Sequence, residues 1–190
     1  FNKINNPNID TVYDFADFLK NNEKFKESII QYSRVLEAIS KNHYLYAEAS
    51  EGRGIAYERS DQWKKAENDF LNSLKASPNQ PYVINYLAYS WIEKGLYIEK
   101  SLKMLEKANE LKKNDGYIID SLGWALFKLK KYKKAKEYLE LAVRIMPSDP
   151  IVNDHFGDSL WMTNKNIQAR YYWNYVLDLK KTEPKLKKNV

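Results

Sequence analysis

The chain has 190 residues and a formal net charge of +6, and 44% of its residues are apolar, but it contains only 6 Gly and 6 Pro. This composition excludes a disordered, collagen-like or turn-rich β-sandwich protein and favours long uninterrupted helices. With no Cys and 2 His, the sequence excludes disulfides and thiolate metal clusters and offers little material for a catalytic zinc site.

A 34-residue period runs through the sequence: Gly123 and Gly157 lie 34 residues apart, and so do Ala135 and Ala169. The same offset joins Leu122 to Phe156, Leu126 to Leu160 and Leu139 to Trp173. Periods of this length indicate a stacked array of small units. The predicted units are 9–46, 47–80, 81–115, 116–149 and 150–183. Residues 1–8 are interpreted as a linker or the end of a preceding unit, and 184–190 as a basic tail.

Each unit is predicted to contain two antiparallel amphipathic helices. In the fourth unit Ile119, Leu122 and Leu126 share one helical face. Pro150 suits the first position of a helix, and Asp149 before it is a natural N-cap. The predicted helices are, in chain order, 9–21, 24–40, 45–59, 63–76, 81–94, 98–112, 116–129, 132–145, 150–163 and 166–180.

Over residues 9–183 this pattern resembles the tetratricopeptide repeat (TPR) family. The family places a large apolar residue, a small residue and an aromatic in the first helix, then Ala, an aromatic, Ala and Pro. The fourth unit supplies Leu122, Gly123, Leu126, Ala135, Leu139, Ala142 and Pro147. The resemblance implies an all-α fold, an α-solenoid of five TPR helix-turn-helix units that form a right-handed superhelix.

Three stretches look like the carboxyl-terminal repeats of bacterial TPR proteins, many of them exported or lipid-anchored: INYLAYSWIEKG, DGYIIDSLGWALFKLKKYKKA and MPSDPIVNDHFGDSLW. This likeness implies a bacterial source and a longer parent chain, and it favours the periplasm or envelope, with the cytoplasm as the alternative. The sequence begins with Phe1 instead of Met, so we expect any signal or lipid-anchor sequence to lie outside it.

We predict no enzymatic activity and no cofactor, because the sequence contains no nucleophile elbow, phosphate-binding loop or zinc-protease motif. The nearest constellation is Asp154, His155 and Asp158. A metal there would need further ligands that no neighbouring helix obviously offers, so we interpret these residues as polar positions on a helix surface and expect no metal site.

In TPR stacks the first helix of each unit lines the concave groove, mainly through its second, fifth, ninth, twelfth and thirteenth positions. The partner-binding residues selected in this way are Tyr82, Asn85, Tyr89, Tyr117, Asp120, Trp124, Phe127, Asp154, Asp158 and Trp161. Within the first fourteen residues of each unit there are ten acidic and five basic side chains, so the net charge there is −5 and that of the remainder is +11. The predicted groove is therefore aromatic and acidic.

The leading hypothesis is a non-enzymatic protein-protein interaction module, an adaptor or scaffold, whose groove binds a segment with basic and apolar side chains. The aromatic residues alternatively pack against neighbouring units. A second hypothesis is self-association or docking through the last helix, where exposure is predicted for Tyr171, Tyr172 and Tyr175. Nucleic-acid binding through the lysines of 128–136 comes third. That run contains no Arg, so we expect no nucleic acid, and no small-molecule substrate is expected either.

Overall fold

The computed structural model describes residues 8–180, 182 and 186, and residues 8–180 contain ten α-helices and no strand. The helices are α1 (Ile9–Asn21), α2 (Phe25–Ala38), α3 (Tyr46–Arg59), α4 (Trp63–Ala76), α5 (Pro81–Glu93), α6 (Ile98–Leu111), α7 (Gly116–Lys128), α8 (Tyr132–Ile145), α9 (Pro150–Trp161) and α10 (Asn166–Asp178). Every predicted helix end lies within two residues of the observed one. None of the described helices combines the length and apolarity needed to cross a membrane.

Two predicted segments lie largely outside the described residues. They are the linker or preceding unit at 1–8, of which the structure describes residue 8, and the basic tail at 184–190, of which it describes residue 186. The chain divides into two compact units, residues 1–83 and 84–190.

In the first unit α1 packs on α2, α2 on α3 and α3 on α4, and α1 also contacts α3. Val12 and Ala16 of α1 meet Tyr32 and Val35 of α2 in a buried core, and Ala49 of α3 completes it. These residues recur at helical spacing on one face of each helix, as a stack of amphipathic helices requires.

In the second unit α6 packs on α7, α7 on α8, α8 on α9 and α9 on α10. The helix α7 also contacts α9 directly, so the first helices of consecutive repeats lie side by side. One core cluster joins Ile119 and Leu139 to Phe156, and another joins Ile92 and Leu105 to Leu122. This arrangement places side chains of α7 and α9 within reach of each other.

The starts of α7 and α9 are fixed by matching aspartate caps. One carboxylate oxygen of Asp115 accepts hydrogen bonds from the backbone N–H groups of Tyr117 and Ile118. Asp149 does the same for Ile151 and the residue after it. The predicted N-cap at Asp149 is confirmed. Such a cap satisfies backbone donors that have no partner inside the helix.

The repeated small residues mark places where two helices approach closely. A Cβ atom on Gly123 would lie 2.7 Å from Cγ of Leu139, and one on Gly157 would lie 2.6 Å from Nε1 of Trp173. Real side chains essentially never come so close. Glycine therefore lets α8 seat against α7, and α10 against α9, despite its poor helix propensity.

Candidate partner-binding face

We call the predicted groove residues of the second unit the first-helix face. They lie on α5, α7 and α9 and are Asn85, Tyr89, Tyr117, Asp120, Trp124, Phe127, Asp154, Asp158 and Trp161. The contact between α7 and α9 brings the members from these two helices together. The remaining predicted residue, Tyr82, belongs to the first unit, where its side chain is exposed.

The first-helix face divides into three groups by exposure. Tyr117 and Trp161 are 58% and 41% exposed, whereas Asp120 and Trp124 are only 5% and 6% exposed. The half-buried members are Asn85, Tyr89, Phe127, Asp154 and Asp158. The face thus combines exposed aromatic side chains and half-buried carboxylates, and its two buried members form a floor.

Trp124 forms that floor by stacking. Its ring lies 3.9 Å from that of His155 and 4.8 Å from that of Phe127, with interplanar angles of 12° and 10°. The indole Nε1 donates a hydrogen bond of 2.7 Å to Glu93, and the Lys128 ammonium lies 4.3 Å from the ring centroid. For Trp124 the alternative left open by the sequence therefore applies, because the indole packs against neighbouring repeats.

His155 is buried, so its interpretation as a surface polar residue is also wrong. Its Nδ1 lies 3.0 and 3.1 Å from the two carboxylate oxygens of Asp120. Burial lowers the pKa of His155, but the charge and hydrogen bond of Asp120 outweigh it, so the pKa is raised overall. The Asp120 carboxylate therefore pairs with His155 inside the protein instead of facing a partner directly.

The sequence carried a signal for this pair that the groove positions alone do not show. Asp120 is the fifth residue of its unit and His155 is the sixth of the next, 35 residues later. Because α7 and α9 pack side by side, these two positions face each other. An acidic residue and a histidine separated by 35 residues, one more than the 34-residue period, would have indicated this contact.

Asp154 and Asp158 lie one helical turn apart on α9 and are both half-buried. Burial raises the pKa of Asp154 to about 6, and the charges of Asp158 and Asp120 act in the same direction, against that of His155. Burial also raises the pKa of Asp158, against the charge of His155 and a hydrogen bond from Trp173. Such poorly hydrated carboxylates favour a neighbouring cation. Among the described residues, no group of three or more His, Cys, Asp or Glu is placed to hold a metal ion.

A cavity of about 130 Å³ opens between α5, α7 and α9. We call it the Asn85 pocket, and its lining is Asn85, Tyr89, Tyr117, Asp120, Ser121, Asp149, Ile151 and Val152. Tyr117 and Ile151 are exposed at its mouth, whereas Asp120 is buried at its base. The Oδ1 atom of Asn85 is buried and accepts no hydrogen bond within the described structure.

The last helix, α10, presents a second surface. Ile167 and Tyr171 are 88% and 66% exposed. Of the three tyrosines predicted to be exposed there, Tyr172 and Tyr175 are instead half-buried. The Tyr172 ring packs edge-on against Phe156 with centroids 4.8 Å apart. The exposed apolar part of α10 is therefore narrower than the sequence predicts.

Residues 117–149 match the family model described as tetratricopeptide repeat. Two proteins of Pseudomonas aeruginosa are similar in sequence. The type IV pilus assembly protein PilF is 23% identical over 129 residues, which are 67% of this chain and 51% of PilF. The TPR repeat-containing protein PA4667 is 26% identical over 106 residues, 56% of this chain and 18% of that protein. The chain thus spans about half the length of PilF and less of PA4667.

Solved structures are similar over nearly the whole chain. A structure of Pseudomonas aeruginosa PilF has a TM-score of 0.74 and 19% identity, covering 95% of this chain and 82% of the chain in that structure. The structure of YrrB is described as a TPR protein with an unusual peptide-binding site. It has a TM-score of 0.68 and 19% identity, covering 94% of this chain and 91% of the YrrB chain. These likenesses show the fold, an all-α solenoid of repeated helix pairs.

Proposed function

The chain is a tetratricopeptide repeat protein, and on that premise we propose that it is a non-enzymatic protein-protein interaction module whose first-helix face binds a partner segment. The observation that carries this proposal is that exposed Tyr117 and Trp161 lie on the same two contacting helices as the half-buried carboxylates of Asp154 and Asp158. The peptide-binding site ascribed to YrrB lies on a similar fold and supports the same class of function.

The aromatic side chains would provide most of the affinity. Tyr and Trp anchors that a partner buries typically contribute about 2 kcal/mol or more each. The Asp115 cap fixes the backbone of Tyr117, and the Trp161 side chain is positioned by the Trp173 ring, which lies 5.5 Å away. Side chains that are already positioned lose little conformational entropy on binding, so more of their contact energy becomes affinity.

The carboxylates would select the partner's charge. Asp154 and Asp158 have raised pKa values because they are partly withdrawn from water, and a basic side chain nearby would restore the lost stabilisation of their charge. Partly exposed ion pairs contribute only about 0.2–1 kcal/mol each and act mainly on association rate and discrimination. The proposed partner segment therefore combines apolar and basic side chains.

A displayed library of random peptides, selected on the intact chain, tests this proposal. Selected sequences should be rich in apolar and basic residues, and Tyr117→Ala should weaken their binding about tenfold or more in calorimetry. Tyr171→Ala is the matched control, since Tyr171 is similarly exposed but lies on α10. Equal affinity of the native chain and the Tyr117→Ala variant would contradict binding at the first-helix face.

Self-association through α10 is a second candidate, favoured by the exposure of Ile167 beside Tyr171. Large exposed apolar side chains that lie together often mark an interaction surface. Sedimentation of the native chain should then show a concentration-dependent dimer that Ile167→Asp abolishes. A monomer at every concentration would leave the first-helix face as the proposed interaction surface.

A further inference from the structure

A recess of about 650 Å³ lies next to the first-helix face, where α7 and α9 end. We call it the lysine recess, and its lining is Lys130, Lys131, Tyr132, Lys133, Lys134, Met162, Thr163 and Asn164. These residues belong to the loop after α7, the first turn of α8 and the loop after α9. The recess adjoins the face, because Met162 follows Trp161 in the chain and the Tyr132 ring packs edge-on against Phe127 at 5.3 Å.

The lysine recess and the first-helix face have opposite charge. The four lysines of its lining are all exposed, and none of them forms an ion pair with a described residue. The described lining contains no Asp or Glu. Lys128 marks the boundary with the face, since burial raises the pKa of Asp158 and the charge of Lys128 acts against that rise. The surface thus changes from negative to positive at the ends of α7 and α9.

The stability of the fold does not explain why these lysines lie together. The first turn of α8 contains no acidic residue, and its N-cap, Lys131, makes no side-chain hydrogen bond, whereas α7 and α9 begin with aspartate caps. Positive side chains at the start of a helix are unfavourable, because that end of the helix is itself positive. Neighbouring like charges also repel each other. An anionic group in the recess would relieve both effects.

The lining favours an acidic peptide segment over other polyanions. Met162 is 43% exposed, so it offers an apolar contact among the charges. The described lining contains no Arg, which phosphate recognition favours, and the half-buried Tyr132 ring already packs on Phe127 instead of being free to stack on a base. A recess also receives a protruding chain more readily than a flat lipid surface.

Building on the proposed function, we propose that the partner segment carries two blocks of opposite charge. Its basic and apolar block lies on the first-helix face, and an acidic block with an apolar side chain occupies the lysine recess. Exposed ion pairs contribute only about 0.2–1 kcal/mol each, so an isolated acidic peptide binds weakly. An acidic block joined to a block already bound on the face has a high effective concentration and adds to the affinity. The charge boundary thus fixes which way the partner segment runs.

Synthetic peptides test this inference by calorimetry on the intact chain. The basic block KFKLK is joined through a flexible Gly-Ser linker to the acidic block ELEVE, in both orders, and to the uncharged block QLQVQ for comparison. One of the two orders should bind about tenfold more tightly than the QLQVQ peptide, and the difference should fade at high salt. Equal affinities of the ELEVE and QLQVQ peptides in both orders would overturn the inference.

A double variant, Lys133→Gln with Lys134→Gln, should abolish the tenfold gain. Its melting temperature should equal or exceed that of the native chain, because positive charges leave the start of α8. The matched control is Lys64→Gln with Lys65→Gln, which removes two exposed lysines from the same positions of α4 and changes the net charge equally. This control should keep the gain. Equal losses in the two double variants would mean that only net charge matters, and would overturn the recess.

The position of the acidic block is read by NMR of the ¹⁵N-labelled chain. The ELEVE peptides should shift the backbone amides of Thr163 and Asn164, and the QLQVQ peptide should not. A single-stranded oligonucleotide or an anionic lipid vesicle that displaces the ELEVE peptide from these residues at lower concentration would assign the recess to that ligand and overturn the inference.

The outcomes separate this inference from the proposed function. If ELEVE adds no affinity while binding of KFKLK still depends on Tyr117, the lysine recess is wrong and the binding module stands. If the gain from ELEVE depends on Lys133 and Lys134 but no peptide depends on Tyr117, the recess stands and the first-helix face is wrong.

Discussion

Asp154→Asn should stabilise the protein at neutral pH. Burial raises the pKa of this carboxyl from its ordinary value of 3.8 to about 6. The Asp154 carboxyl therefore binds its proton more tightly in the folded chain than in the unfolded chain. This tighter binding stabilises the fold fully below about pH 4, and the stabilisation is lost as the pH rises through about 6. A neutral amide cannot ionise, so the variant avoids that loss.

The size of the effect follows from the same two pKa values. A pKa difference of about two between the folded and unfolded chains corresponds to about 3 kcal/mol in the free energy of unfolding, at about 1.4 kcal/mol for each pKa unit. Because the carboxyl is only half-buried and solvent screens its charge, we expect about half of this, or about 1–1.5 kcal/mol at pH 7.5. The gain should shrink steadily as the pH falls from 6 towards 4.

Urea unfolding followed by circular dichroism at several pH values measures the difference. The charge of Asp154 also helps to raise the pKa of His155, so the variant should show a lower histidine pKa in an NMR titration. Glu110→Gln, at an exposed position on α6, is the control and should change stability little at any pH. A gain that is absent at pH 7.5, or the same at every pH, would refute this reasoning.

Three further predictions rest on packing and charge. Trp124→Ala should lower the free energy of unfolding by about 3–5 kcal/mol, whereas an unchanged urea midpoint would mean that the indole adds little to the fold. Gly123→Ala should also destabilise the protein, although Ala favours helices by about 1 kcal/mol, because the new Cβ would lie 2.7 Å from Cγ of Leu139. Since Leu139→Ala removes that clash, the double variant should lose less stability than the sum of the two single variants. In calorimetry, an acidic peptide with a free carboxylate should bind at least about tenfold more weakly than a basic one, because Asp154 and Asp158 repel it; equal affinities would contradict an acidic face.

The helices were predictable because the repeat constrains them more than once. Positions such as Gly123 and Gly157 recur in register, and caps such as Asp149 mark where a helix starts. The helix boundaries predicted in one unit therefore support those predicted in the next, and the capping residues agree with the repeat register. The described helices are those that the period predicts. The handedness of the superhelix and the exact limits of the five units stay predictions.

The candidate site was less predictable, because a period fixes which residues are equivalent but not how far each helix is rotated. Trp124 and Asp120 occupy groove positions, yet they are buried against His155, while Tyr117 and Trp161 stay exposed. A small rotation of α7 decides between these environments. Only the contact of α7 with α9 settles it, and that contact depends on side-chain shapes that the repeat pattern does not encode.

The neighbour-to-neighbour packing of the second unit bears on how it folds and opens. The helix α10 packs mainly against α9, and the buried side chains of α10 are Ala169 and Val176. Arrays whose contacts are mostly local nucleate easily and gain stability one interface at a time. Amide protons of α10 should therefore exchange with solvent sooner than those of α7, which is held by α6, α8 and α9. Opening of α10 would also release Trp161 and Asp158 of the first-helix face, because both contact Trp173.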